Sequence, residues 1–173
     1  MNIARITISD RASAGIYEDK SGPEIESALK AIFNEEIAFL CRVIPDQKEL
    51  IAQTLKEMAD THKCRLIITT GGTGITQRDV TPEATRQVIE KELPGFAELM
   101  RLESYKFKKT AILSRAVCGI RGQSLIINLP GNPLAVKQCI EILSEAIVEA
   151  VAHLNGEDPH QNLNNNYGKP AIN

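Results

Sequence analysis

Apolar positions follow two periods along the chain. Short runs of strand length, "ARITISD" (4–10), "AFLCRVIP" (38–45) and "RLIITT" (65–70), alternate with longer stretches in which apolar residues return every three or four positions. The first run feeds a polar loop, "RASAGIYEDKSG", and then a helix. There Ser21 stands three residues before Glu24 in the spacing of a capping box, Pro23 suits the first turn, and Ile25, Leu29, Ile32 and Phe33 supply the inner stripe. After the second run, Asp46 repeats that capping pattern with Glu49 ahead of Leu50, Ile51, Leu55, Met58 and Ala59. The third run is apolar and bounded by glycines, which predicts a central strand covered on both faces.

Farther on, Thr81 and Pro82 read as N-cap and first helical residue, with Glu83 favourably placed against the helix dipole and the helix continuing through Val88 and Ile89. Another helix restarts after Pro94 and Gly95. "TAILSRAVCGIRGQSLIINLPGNP" predicts two strands around a turn between Gly119 and Gly122. Asn132 and Pro133 then open a long helix, with Val136, Cys139, Ile140, Leu143, Ala146, Ile147, Ala150 and Val151 as its core stripe. Strands alternating with helices imply an α/β sandwich with a largely parallel sheet, closed near one edge by the hairpin-like pair. The domain is expected over residues 1–154. From Asn155 the composition turns polar and rich in Asn, so 155–173 reads as an extended or disordered tail.

Composition narrows the function classes. A length of 173 residues with 43% hydrophobic content suits one domain with a substantial core. A formal net charge of -2 and the absence of any basic block argue against a nucleic-acid partner. Cys41, Cys64, Cys118 and Cys139 never form C-x-x-C and read as reduced thiols, three of them in buried segments. The three histidines share no metal-ligand spacing. With neither a signal peptide nor a spanning segment in the sequence, a soluble cytoplasmic protein without a membrane partner is expected.

The polar loops carry the candidate chemistry. In a parallel α/β sheet the loops at the carboxyl ends of the strands form the ligand crevice. "SDRAS", "PDQ", "TTGGTGITQRD" and "NLPGNP" all belong to that rim by connectivity. Gly71, Gly72 and Gly74 permit close approach and can turn amides toward an anion, while Thr69, Thr70 and Thr73 add hydroxyls, so this loop suits phosphate. Glycine is equally what a tight strand-to-helix turn needs. Neither a Walker A loop nor a full dinucleotide fingerprint is present, since Gln77 stands where the third glycine of the latter would fall.

Asp46 reads either as a helix cap or as a functional carboxylate, and Asp79 either as a ligand or as a surface ion pair with neighbouring Arg78. Asp10 and Arg11 are turn residues by default. If two of these aspartates face one pocket they can share Mg²⁺, which needs only one or two protein carboxylates beside phosphate and water. Gly131 and Asn132 at a helix start suit a second anion, or simply cap that helix. Ser114 and Arg115 offer a hydroxyl and a cation, and Lys20, Lys137 and Lys169 read as solvated charges. No nucleophile paired with a base is apparent, so charge neutralisation and alignment of phosphates describe the chemistry better than covalent catalysis.

Taken in order and spacing, "SDRAS", "PDQ", "TTGGTGITQRDVTPEAT", "AILSR", "GIRG" and "INLPGNP" closely resemble the molybdopterin adenylyltransferase family of molybdenum cofactor biosynthesis, from about Ile3 to about Leu154. Molybdate-inserting enzymes and the competence-damage-inducible family share a GGTG-containing fold, but the uninterrupted "GITQRDVTPEAT" and the short length favour the adenylyltransferases. The resemblance implies a three-layer α/β/α sandwich, usually a homotrimer, that uses ATP and Mg²⁺ to transfer AMP to the terminal phosphate of molybdopterin. It implies Asp46 and Asp79 as catalytic and metal-binding carboxylates. It further implies Ser9, Asp10, Thr70, Gly71, Gly72, Thr73, Gly74, Ser114, Pro130, Gly131 and Asn132 as the substrate and nucleotide pocket. A downstream partner would be the molybdate-inserting enzyme. The alternative within the same fold is a non-catalytic molybdopterin-binding or scaffold domain.

Overall fold

The computed structural model describes residues 1–157; the expected tail lies, beyond Glu157, outside the described residues. Six strands form one mixed sheet in the order β2-β1-β3-β6-β5-β4. They are β1 (Asn2–Ile8), β2 (Ala38–Ile44), β3 (Leu66–Thr70), β4 (Lys91–Glu92), β5 (Cys118–Arg121) and β6 (Ser124–Leu129). β2, β1, β3 and β6 run parallel, while β5 pairs antiparallel with both β6 and β4. Every residue of β3 is buried between β1 and β6, as its unbroken apolar run predicts.

Helices cover both faces. They are α1 (Asp10–Ser13), α2 (Ser21–Ile32), α3 (Lys48–Lys56), α4 (Thr81–Arg86), α5 (Pro94–Phe107) and α6 (Pro133–Leu154). A π-helical turn (Glu57–Thr61) extends α3, and a 3₁₀ turn (Lys109–Leu113) follows α5. Side-chain alternation along the strands feeds two cores. Ile3, Leu66, Ile68, Leu125 and Ile127 meet α2, α5 and α6, whereas Ala4, Ile6, Ile8, Ile67 and Ile126 meet α3 and α4. The result is a three-layer sandwich. Among the described residues no helix is long and apolar enough to cross a membrane.

Three helix starts differ from the sequence expectation, and each difference frees a side chain for the rim. Ser21 lies inside α2 rather than capping it: Asp19 Oδ1 accepts from the amides of Ser21 and Gly22, and the Ser21 hydroxyl donates to the Gly131 carbonyl at 2.8 Å. Asp46 does not cap α3, whose N-cap is Gln47; its carboxylate accepts from the Asp10 amide instead. Thr81 is the first residue of α4 rather than its cap, and its hydroxyl donates to the Gly71 carbonyl at 3.0 Å. Asn132 does cap α6, accepting from the Ala135 amide.

Other differences are local. α4 ends at Arg86 and does not run through Ile89, because the chain turns there toward β4, and just before that strand the Glu90 amide donates to the Ile120 carbonyl. "TAIL" forms part of the 3₁₀ turn, and the hairpin turns at Gly122, leaving Gly119 within β5. "DRAS", read as loop, makes the single turn α1 with Ser9 as its cap.

Candidate functional site

The chain enters β2 and β3 on opposite sides of β1, so the loops leaving β1 and β3 diverge to opposite faces of the sheet. This is the topological switch point at which open α/β sheets bind ligands. A cleft of about 960 Å³ opens there, lined among others by Ser9, Asp10, Asp46, Thr70, Gly71, Gly72 and Gly131. Loops from four strands, β1, β2, β3 and β6, therefore converge on one rim.

The glycine loop is shaped by what its carbonyls do. Those of Gly71, Gly72, Thr73 and Gly74 accept from Thr81 Oγ1, Thr81 N, Arg115 N and Arg115 Nε respectively, all on the protein side. The amides of Gly72 and Thr73 meet no acceptor among the described residues. Positive φ angles of 99° at Gly71 and 62° at Gly72 make this course possible, and a Cβ on Gly71 would collide with the Ile8 carbonyl. Successive main-chain donors free of internal acceptors are the elements of an anion nest.

Asp10 and Asp46 interlock: the Asp10 amide donates to Asp46 Oδ2 at 2.8 Å, and the Asp46 amide donates to Asp10 Oδ1 at 3.0 Å. Arg78 donates to both Asp10 oxygens from the glycine-loop side, at 2.7 and 2.6 Å through Nη2. That hydrogen bond is the main cause holding the Asp10 carboxyl below its ordinary range. Asp46 behaves oppositely. Burial first, then repulsion from Asp10 and Asp79, push its carboxyl up against the opposing Asp10 amide and Arg78.

Asp79 lines a separate shallow depression with Thr76, Glu83 and Arg115. Its Oδ2 accepts from the Thr76 amide at 2.8 Å and hydroxyl at 2.6 Å. Burial works to raise its pKa, but the hydrogen bonds from Thr76 and Gly74, with Arg115 nearby, outweigh it and hold the carboxyl low. Arg78 pairs with Asp10 and not with its neighbour Asp79. Thr73 is buried and lines neither the cleft nor this depression, and a Cβ on Gly74 would meet the Asp79 carboxylate. Ser114, Pro130 and Asn132 line a second cavity of about 500 Å³ between α5 and α6, so the 130–133 turn is a partition between two cavities, with Gly131 and Pro133 facing the first.

Sequence reading undervalued two arginines. Arg115 is the brace of the glycine loop: it donates to the Gly74 and Asp79 carbonyls at 2.6 Å and is paired with Glu83. Arg78 ties the glycine loop to the β1 loop across 68 residues of sequence. Neither partnership has a local spacing that would announce it.

Fold and rim together define an α/β protein with a cleft at the carboxyl ends of its parallel strands, edged by main-chain amides that have no internal acceptor among the described residues. Residues 4–150 match the family model for the probable molybdopterin binding domain, and the chain belongs to that family. It is 48% identical over 147 residues to a molybdopterin adenylyltransferase of Helicobacter pylori, covering 85% of this chain and 84% of the relative. Against the molybdopterin adenylyltransferase of Escherichia coli K12 it is 46% identical over 153 residues, covering 88% and 78%. Among solved structures, the molybdopterin biosynthesis enzyme MoaB from Thermus thermophilus superposes with a TM-score of 0.79 at 35% identity, over 90% of this chain and 97% of that one.

Proposed function

We propose that residues 1–154 form a cytoplasmic enzyme that adenylylates molybdopterin, transferring AMP from ATP to the terminal phosphate of molybdopterin and releasing pyrophosphate. The observation that carries this reading is the cleft at the β1/β3 switch point, where a half-buried carboxylate, Asp46, faces a loop of free amides around Gly72. The relatives named molybdopterin adenylyltransferase give the substrate.

In the reaction a terminal oxygen of the pterin phosphate attacks the α-phosphorus of ATP. The bond from that phosphorus to the bridging oxygen breaks, and pyrophosphate leaves. A phosphate monoester carries between one and two charges near neutral pH, so its attacking oxygen needs no protein base. Alignment and charge neutralisation are what remain for the protein. The Thr70–Gly74 loop cradles phosphate oxygens through the free amides of Gly72 and Thr73; Ser9, Asp10 and Gly131 line the same cleft, and Ser114, Pro130 and Asn132 extend the binding surface beyond the partition.

Asp46 suits a divalent cation, since burial and neighbouring carboxylates leave its negative charge undercompensated. Asp46 would hold Mg²⁺ in the cleft, and Asp79, in the adjoining depression, would add negative charge that is felt at Asp46. The ion, when bound, neutralises the triphosphate. Among the described residues no group of three or more His, Cys, Asp or Glu forms a metal site, and Mg²⁺ needs no such group.

Leu102, Phe107 and Ile112 on α5 and the 3₁₀ turn are 67%, 72% and 62% exposed, a face that a homotrimer would cover. Light scattering tests that assembly, and co-purification tests a downstream molybdate-inserting partner. For the activity, the chain is incubated with ATP, Mg²⁺ and molybdopterin. Pyrophosphate release that depends on the pterin supports the enzyme; pterin binding without release supports a non-catalytic binding domain instead.

A further inference from the structure

Three cations line the main cleft: Arg11, Lys20 and Arg78. Two are occupied. Arg78 is bound by Asp10, and the Arg11 guanidinium lies over the Tyr17 ring, 5.1 Å from its centroid. Lys20 has neither an ion pair nor a side-chain hydrogen bond among the described residues. An ammonium left unpaired on the cleft that the Gly72 loop also lines is the natural counter-charge for a phosphate oxyanion.

The segment that carries Lys20 is nevertheless firmly held. Asp19, only 12% exposed in its side chain, accepts four hydrogen bonds: from Arg5 Nη1 at 2.8 Å, Thr7 Oγ1 at 2.7 Å, Ser21 N at 3.1 Å and Gly22 N at 2.9 Å. Arg5 is equally enclosed, at 13%, and its Nε reaches Glu26. A Cβ on Gly22 would fall on the Arg5 guanidinium, so glycine at this position makes room for the ion pair. The Ser21 hydroxyl meanwhile locks the start of α2 to Gly131 on the partition. A buried pair that fastens the residue on either side of one unpaired lysine is a device for fixing where that lysine starts.

The geometry points to Lys20 as a phosphate-binding residue of the adenylyl-transfer site, with the Arg5–Asp19 pair as its positioning element. This rests on the adenylyltransferase reading for the identity of the phosphate, which is either the triphosphate of ATP or the monoester of molybdopterin. It does not rest on that reading for anion binding itself. Lys20 shortens the gap between two mutually repelling anions, and Asp19 acts only through it.

The test uses the full chain and inorganic pyrophosphate as the probe, titrated by calorimetry. Lys20→Met is expected to weaken pyrophosphate binding by roughly ten- to a hundredfold, the effect of losing one charge-assisted hydrogen bond. Lys20→Arg should restore most of it, and Lys137→Met on the exposed face of α6 should change nothing. Asp19→Asn should weaken binding in the wild-type background and add nothing in the Lys20→Met background, a non-additivity that a general loss of stability would not produce. In turnover assays, a KM rise confined to ATP assigns Lys20 to the triphosphate, and one confined to molybdopterin assigns it to the monoester. Lys20→Met binding pyrophosphate as the wild type does, with both KM values unchanged, overturns the proposal. A chain that shows the pyrophosphate effect but no pterin-dependent turnover would keep Lys20 and discard the adenylyltransferase reading.

Discussion

The two walls of the main cleft are built by different means. On the glycine side, residues 71–79 are fastened mostly through their own main chain: consecutive carbonyls from Gly71 to Gly74 accept from Thr81 and Arg115, and the Gly71 amide donates to the Leu129 carbonyl. On the β1 side, residues 9–21 hang on side chains, through Asp10 with Arg78 and Asp19 with Arg5 and Thr7. A wall fixed by backbone can present amides at fixed positions without spending any side chain on the ligand. A wall fixed by charged side chains can place a cation, but it depends on ionisation and on salt.

The largest expected effect tests whether the glycine wall does chemistry or only shapes the cleft. Asp79→Asn preserves size and can still accept from Thr76, yet removes the charge that Asp46 feels. Turnover should fall by roughly two to three powers of ten while molybdopterin affinity stays close to wild type. Unchanged turnover would remove Asp79 from the mechanism and leave this wall as scaffold.

Next in size is the contrast in stability between the walls. Gly71→Ala must place a Cβ against the Ile8 carbonyl at φ 99°, and should destabilise the fold by about 1–3 kcal/mol in urea unfolding. Arg78→Gln breaks only a solvent-exposed pair and should leave the unfolding midpoint where it was. Equal losses in the two variants would mean that the walls are not held differently after all.

The same contrast explains what the sequence made legible. The sheet, its central strand and the covering helices were readable because apolar periodicity reports burial directly; β3 and the α6 stripe are where the pattern places them, except that Ala146 and Ala150 are only half-buried at the edge of that stripe. The convergence of four loops was readable from connectivity, since parallel strands leave their carboxyl ends on one rim. What was not readable lies in long-range side-chain bonds. Capping spacing pointed to Ser21 and Asp46 as caps, but Asp19 takes the first role, Gln47 stands in the second place, and both misread side chains engage residues far away in sequence. Arg115 and Arg78 likewise gain their importance from loops brought near by the fold, and a single sequence carries no local mark of that. The separation of Ser114, Pro130 and Asn132 into a second cavity depends on which way each residue of a tight turn faces, which composition does not encode.

The smallest expected effect is also the sharpest on the cleft's electrostatics, because two carboxylates of one rim should respond to pH with opposite signs. Both have an ordinary pKa of 3.8, raised at Asp46 and lowered at Asp79. At Asp46 the native state keeps its proton after the unfolded chain has lost it, so stability is lost as pH rises from that ordinary value through the raised one. At Asp79 the native carboxylate stays ionised after the unfolded one is protonated, so its contribution is present above the ordinary value and lost as pH falls through the lowered one. Asp46→Asn, which still offers an oxygen to the Asp10 amide, should therefore unfold at a higher temperature than wild type at neutral pH, and Asp79→Asn at a lower one. In thermal scans against pH the first separation should open just above the ordinary value and the second just below it. Added Mg²⁺ should raise the wild-type midpoint and leave Asp46→Asn unmoved, since a carboxylate destabilised by its own charge is what a cation relieves. A wild type indifferent to Mg²⁺, or an Asp46→Asn midpoint below wild type at neutral pH, would show that Asp46 is a structural acceptor and that the strain in the cleft resides elsewhere.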